Sequence, residues 1–248
     1  MTKPIIEVCV EGVDGLLAAE AAGADRVELC ASLMEGGLTP SMGMLKIAME
    51  RATIPFFPII RPRGGDFLYS NIEFCSMLED VAACREMGIK GVVFGCLTPD
   101  ARFDELRMRA LVEAAGTMST TCHRAFDMTR DLPEAVEALV RCGVQRVLTS
   151  GRRENALAGL NNLKKTVELA AGRIKIMACG GLTAENIVHV RDFTGVQALH
   201  FAALAQMPGG MKWHNRHIGM GSADKAHEYD LTVTDGSKVA ATILAARS

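Results

Sequence analysis

No run of about 18 apolar residues occurs in the chain, so no segment has the length to cross a bilayer as a helix. The N-terminus, Met1-Thr2-Lys3-Pro4, lacks the apolar stretch of a signal peptide. An excess of either charge is also missing. Lys and Arg number 27 against 29 Asp and Glu, a net −2, and no long block of like charge stands out. That balance gives no electrostatic reason to expect nucleic acid or an acidic membrane as a partner. There is no C-x-x-C pair and no close Cys/His cluster, so no structural zinc site is signalled. The first strand-to-helix turn, Cys9-Val10-Glu11-Gly12-Val13-Asp14, has no G-x-G-x-x-G fingerprint, and no nucleotide cofactor is indicated. A soluble, cytoplasmic protein is the expectation.

What is present is a large apolar fraction, 49% of 248 residues, with 24 glycines. This is enough to bury the core of a single domain spanning 1–248. Eight cysteines are scattered through apolar segments without a secretory context, and are expected as reduced thiols.

Strand-like apolar runs begin near residues 5, 26, 55, 91, 119, 145, 174 and 197, each followed by a helical pattern. Gly23, Gly88, Gly143 and Gly195 each precede a strand directly, as C-caps of the helices before them. The connections from helix to strand are therefore short, whereas those from strand to helix carry the charges, glycines and histidines. Eight such units predict a TIM (β/α)8 barrel with its site at the C-terminal ends of the strands. An open doubly wound sheet is the competing architecture, though it more usually stops at five or six strands.

The strand ends hold the chemistry. After the apolar run 54–60 come Arg61-Pro62-Arg63-Gly64-Gly65-Asp66-Phe67, in which Arg61, Arg63 and Asp66 make a candidate anion-recognising corner. The alternative is a solvated loop whose Arg and Asp pair with each other. A period of two puts Glu7 and Cys9 on one face of the first strand, and Glu28 and Cys30 on one face of the second. An ionised Glu there needs a partner or a function, and Arg61 or Arg63 is the expected partner. Ser41 or Thr39 is expected to cap the helix that follows Gly36-Gly37. At the fifth strand end, His123 with Asp127 four residues on is a candidate acid/base pair, the carboxylate orienting the ring. With Glu28 these form the candidate catalytic set. Gly180, Gly181 and His200, after strands seven and eight, are candidate anion-binding residues. From 205 to 231 apolar periodicity is lost, and Trp213, His214, Asn215, Arg216, His217 and His227 crowd a long segment that reads as a lid or partner contact, with Gly209, Gly210, Gly219 and Gly221 as candidate hinges.

Five ordered strings carry a resemblance: G-A-D-R-V-E-L-C at 23–30, E-G-G-L-T-P-S at 35–41, P-I-I-R-P-R-G-G-D-F at 58–67, H-R-A-F-D at 123–127 and R-V-L-T-S-G at 146–151. The chain resembles the CutC family, known as copper homeostasis proteins, nearly end to end. The resemblance implies a TIM barrel, a cytoplasmic location, a role in copper homeostasis or copper binding, and a homo-oligomer. Cys30, within E-L-C, is the family-matching thiol. Phe201-Ala202-Ala203 and the stretch 211–217 depart from the family pattern. Cu(I) prefers thiolates and thioethers, and Cys9 and Cys30 at adjacent strand ends, near Met34, Met42 and Met44, are the candidate metal ligands. Most of the 14 Met are read as core filling. The harder set of Glu28, Arg61, Arg63, Asp66, His123 and Asp127 suggests instead a lyase, isomerase or hydrolase acting on a small anionic molecule. A third alternative is a sensor that binds without turnover.

Overall fold

The computed structural model describes residues 3–215, 217–219 and 228–248. Arg216, Gly221 and His227 lie outside the described residues. Eight parallel strands form one sheet: β1 (Ile5–Glu11), β2 (Arg26–Cys30), β3 (Phe56–Pro58), β4 (Gly91–Phe94), β5 (Ser119–Cys122), β6 (Arg146–Thr149), β7 (Lys175–Ala178) and β8 (Ala198–Phe201). Seven helices connect them in turn: α1 (Gly12–Ala21), α2 (Met42–Arg51), α3 (Asn71–Glu86), α4 (Glu105–Ala115), α5 (Leu132–Arg141), α6 (Leu160–Ala170) and α7 (Ile187–Thr194), and α8 (Gly236–Arg247) ends the chain.

The sheet runs β3-β2-β1-β8-β7-β6-β5-β4, so the first strand lies beside the last. An isolated parallel bridge between Ile59 and Val93 joins the two remaining edges, helped by a 2.7 Å hydrogen bond from Ile60 N–H to Val93 carbonyl. The ring is a TIM barrel, and the doubly wound alternative is excluded. β3 is the shortest strand because Pro55 and Pro58 bring no N–H to the ladder.

Strand periodicity sorts the side chains as expected. Ile6, Val8, Val10, Val27 and Leu29 join the large core between sheet and helices. Cys9, Cys30, Phe57, Ile59 and Val93 cluster separately inside the barrel, as do Leu148, Met177, Cys179 and Ala198. Gly23, Gly88, Gly143 and Gly195 all have positive φ, the backbone that ends a helix abruptly. Ser41 caps α2, its Oγ accepting from Met44 N–H at 3.2 Å.

The segment 205–231 differs from its expectation. Its two ends pair as an antiparallel ribbon, β9 (Leu204–Pro208) with β10 (Asp230–Thr234), in which Gln206 faces Thr232. Each strand is only five residues long, β9 mostly exposed and β10 mostly half-buried, too short and too wet to leave a clear apolar period.

Candidate metal and ligand site

The barrel register brings the charged residues together before any loop is considered. Glu7 stands opposite Arg26 on β2 and opposite His200 on β8, and Cys9 stands opposite Glu28. Arg26 Nε donates to one oxygen of Glu7, and His200 Nδ1 lies 2.8 Å from the other. The second ring nitrogen of His200 is 3.5 Å from Glu28. All four side chains are buried. Burial pushes the Glu7 carboxyl up, but Arg26 and His200 outweigh it and hold the group at about 2. Burial disfavours a charged His200, yet Cys9, Glu7 and Glu28 together raise it well above the usual histidine range. Glu28 is raised, chiefly by burial. The centre of the barrel thus holds an imidazolium between two carboxyl groups.

Above this layer Cys9 and Cys30 approach to 3.8 Å between Sγ atoms. Gly37 makes that possible: it has φ +90°, and a Cβ there would lie 3.0 Å from Cys30 Sγ. One ligand atom each of Cys9, Glu28 and Cys30 lie within 4.8 Å of one another, the one such group among the described residues. The hydrogen bond to Cys30 and burial both drive the Cys9 thiol well above its ordinary value. For Cys30 the bond to Cys9 acts in the opposite direction, but burial and the nearby carboxylates prevail and its pKa is raised too. Two thiolates bound tetrahedrally at about 2.3 Å from one metal sit about 3.8 Å apart, so the pair is spaced to share an ion. Of the three nearby methionines, Met34 and Met42 are exposed and Met44 packs against the main core.

A cavity of about 500 Å³ opens onto Cys9 from the C-terminal ends of the strands, and Glu28, Arg61, Phe67, His123, Arg124, Asp127, Gly180, Gly181 and His200 help to line it. Arg61 is on its wall, with two of its three guanidinium nitrogens held by backbone carbonyls. Nη1 donates to Glu35 and Gly37, and Nη2 to Gly65. Arg63 and Asp66 do not line the cavity. Arg63 pairs with Asp66 at 3.0 Å and with Glu73 at 2.7 Å, and Glu73 forms the capping box of α3 with Ser70. The solvated-loop alternative therefore describes this pair, because the chain turns outward after Pro62. Neither arginine reaches Glu28, whose neighbour is His200.

Asp127 turns away from His123. It closes on the end of β6, accepting from Thr149 Oγ1, the Ser150 and Arg152 N–H groups and Arg124 Nε. The four-residue spacing fails to make a pair because 124–128 is a 3-10 turn that points the carboxylate toward the next strand. His123 Nδ1 accepts from Ala125 N–H at 3.2 Å, and its ring packs on Phe67 with centroids 4.8 Å apart. Burial and the charge of Arg61 lower its pKa to about 3, so the ring is neutral with its proton on Nε2. Gly95 leaves room for it: a Cβ there would stand 2.8 Å from His123 Cε1 and 2.9 Å from Ala125 Cβ. Gly95→Ala should therefore cost about 1–3 kcal/mol by overpacking. Urea unfolding checks this, and an unchanged midpoint would show that the ring is not fixed there.

His200 is enclosed by Glu7 and Glu28 and is not placed to receive an anion. Gly180 and Gly181 line the cavity with φ +91° and +68°, but α7 starts only at Ile187, so no helix N-terminus opens at the glycine pair. Arg26, which sits in the string G-A-D-R-V-E-L-C, and Glu7, which shares a face with Cys9, also belong to this site although neither is among the candidate site residues read from the sequence. Their signal was parity, since Arg26 lies in phase with Glu28 and Cys30.

Comparison with known proteins agrees with this architecture. The CutC family model matches residues 4–205. A family protein CutC of Mesorhizobium japonicum is 59% identical over 245 residues, covering 99% of this chain and 95% of the relative. The copper homeostasis protein cutC homolog of Homo sapiens is 43% identical over 235 residues, 95% of this chain and 86% of the relative. The crystal structure of a CutC protein from Streptococcus agalactiae superposes with a TM-score of 0.76 at 34% identity, covering 80% of this chain and 98% of that one. An aldolase with TM-score 0.61 and 14% identity shares the fold alone. The chain belongs to the CutC family.

Proposed function

We propose that this protein handles copper as Cu(I), taken as cargo by the thiolates of Cys9 and Cys30 at the floor of the cavity. The observation that carries the reading is the 3.8 Å approach of the two sulfurs on neighbouring strands. Soft thiolates are the ligands Cu(I) prefers. Glu28 stands close enough to both sulfurs to complete the set, whereas His200 would join only after leaving Glu7 and Glu28, with which it is engaged. Cys9 lines the cavity and Cys30 does not, so an ion entering meets Cys9 first. The human relative's name, which speaks of copper homeostasis, supports the same reading. Free thiols of this kind suit a reducing, cytoplasmic setting. The acid/base alternative is not adopted, since Asp127 is committed to Thr149, Ser150, Arg152 and Arg124 and leaves His123 without an orienting carboxylate.

Anaerobic competition with a colorimetric Cu(I) chelator tests the proposal. The wild type should take up one Cu(I) per chain. Cys9→Ser and Cys30→Ser should each weaken binding by about tenfold or more, while a serine at the exposed Cys75 should leave it unchanged. Equal affinity in all four proteins would refute the assignment.

A further inference from the structure

We infer that the cavity above the thiol pair is a binding site for a small hydroxycarboxylate, on grounds separate from the copper reading. Its volume of about 500 Å³ lies in the range of pockets that enclose organic molecules, whereas an ion held by two sulfurs needs room for one atom. Three polar atoms on its lining residues have no hydrogen-bond partner among the described residues: Arg61 Nε, His123 Nε2 and Glu28 Oε1. These residues are 6%, 3% and 4% exposed, and buried polar groups are rarely left unpaired without a purpose.

The three atoms specify a ligand. Arg61 and His123 stand together around Phe67, whose ring centroid is 4.8 Å from that of His123 and 5.3 Å from the Arg61 guanidinium carbon. Because His123 Nδ1 accepts from Ala125, Nε2 is a donor, and Arg61 Nε is a second donor that carries charge. Two adjacent donors, one cationic, match the two oxygens of a carboxylate. Glu28 Oε1 is an acceptor and asks for a donor from the ligand's other end. A hydroxyl suits it better than an ammonium, because His200 already faces the same carboxyl at 3.5 Å. All three atoms are covered in this structure, so each side chain turns toward the cavity as the ligand enters, a side-chain adjustment common on binding.

The probes are D-glycerate and D-gluconate, with glycerol lacking the carboxylate and propionate lacking the hydroxyls. Calorimetric titration of the wild type should show saturable binding of at least one hydroxycarboxylate, with both controls about tenfold weaker or worse. His123→Gln should weaken it by about tenfold, and in the wild type the Nε2 resonance of His123 should shift on titration, a readout that does not depend on the variant folding. Cys30→Ser, whose side chain does not line the cavity, should keep this binding while weakening Cu(I), which separates the two proposals. Absence of saturable binding by both hydroxycarboxylates, or binding without movement of the His123 resonance, would overturn the inference.

Discussion

Replacing Glu7 with alanine should lower the stability of the barrel by about 3–5 kcal/mol, the usual cost of breaking a buried ion pair by removing one partner. Glu7 is fully buried, and it is the only carboxylate among the described residues in contact with both Arg26 and His200. Its loss strands a guanidinium and an imidazolium in the barrel interior, where water does not replace it. Glu7→Gln retains the shape and one acceptor, so it should cost less, with His200 giving up its proton. The pH dependence carries a second signature. The Glu7 pKa falls from an ordinary 4.5 to about 2 on folding, so the stability it contributes is present above 4.5 and is lost as pH falls toward 2. That of His200 is raised, so its contribution is complete below the unfolded value and is lost as pH rises through the folded one. Urea unfolding across this range should show the acid limb flatten in Glu7→Gln. A loss under about 1 kcal/mol in Glu7→Ala would mean the charges find solvent when the partner is gone.

Copper affinity should rise by about a hundredfold for each pH unit between about pH 6 and pH 8. Both thiols have raised pKa values, through their mutual hydrogen bond and burial at Cys9 and through burial against the Cys9 contact at Cys30. They are therefore protonated throughout this interval, and forming two thiolates releases two protons. The slope of log affinity against pH is then about +2. Should His200 join as a ligand it must also shed its proton, and the slope becomes about +3. Chelator competition at several pH values, corrected for protonation of the chelator, gives the slope, and proton release in weak buffer counts the same protons directly. A slope near zero is incompatible with these cysteines as the ligands.

Much of the scaffold was legible because it repeats. Apolar runs followed by helical patterns occur eight times, and glycines end four helices at equivalent places, so strand number and the functional face followed from periodicity alone. Parity within β1 and β2 put Glu7 with Cys9, and Glu28 with Cys30, on one face of each strand, and the structure makes that face the inner one. Local spacing served less well. His123 and Asp127 are four residues apart and line one cavity but do not pair, because Asp127 bonds to the end of β6, and Arg63 with Asp66 turns out of the barrel to secure α3.

The sequence by itself determined which residues face inward, since that depends only on the two-residue alternation of each strand and the burial of both faces of a parallel sheet. Only the tertiary structure decided which inward residues meet. His200 reaches Glu7 across 193 positions because β8 closes on β1, and the register of that closure is a property of the whole ring. The β1–β2 register turns two strand-end cysteines into a pair, and the closure makes a histidine with no distinctive motif the centre of the buried charge network.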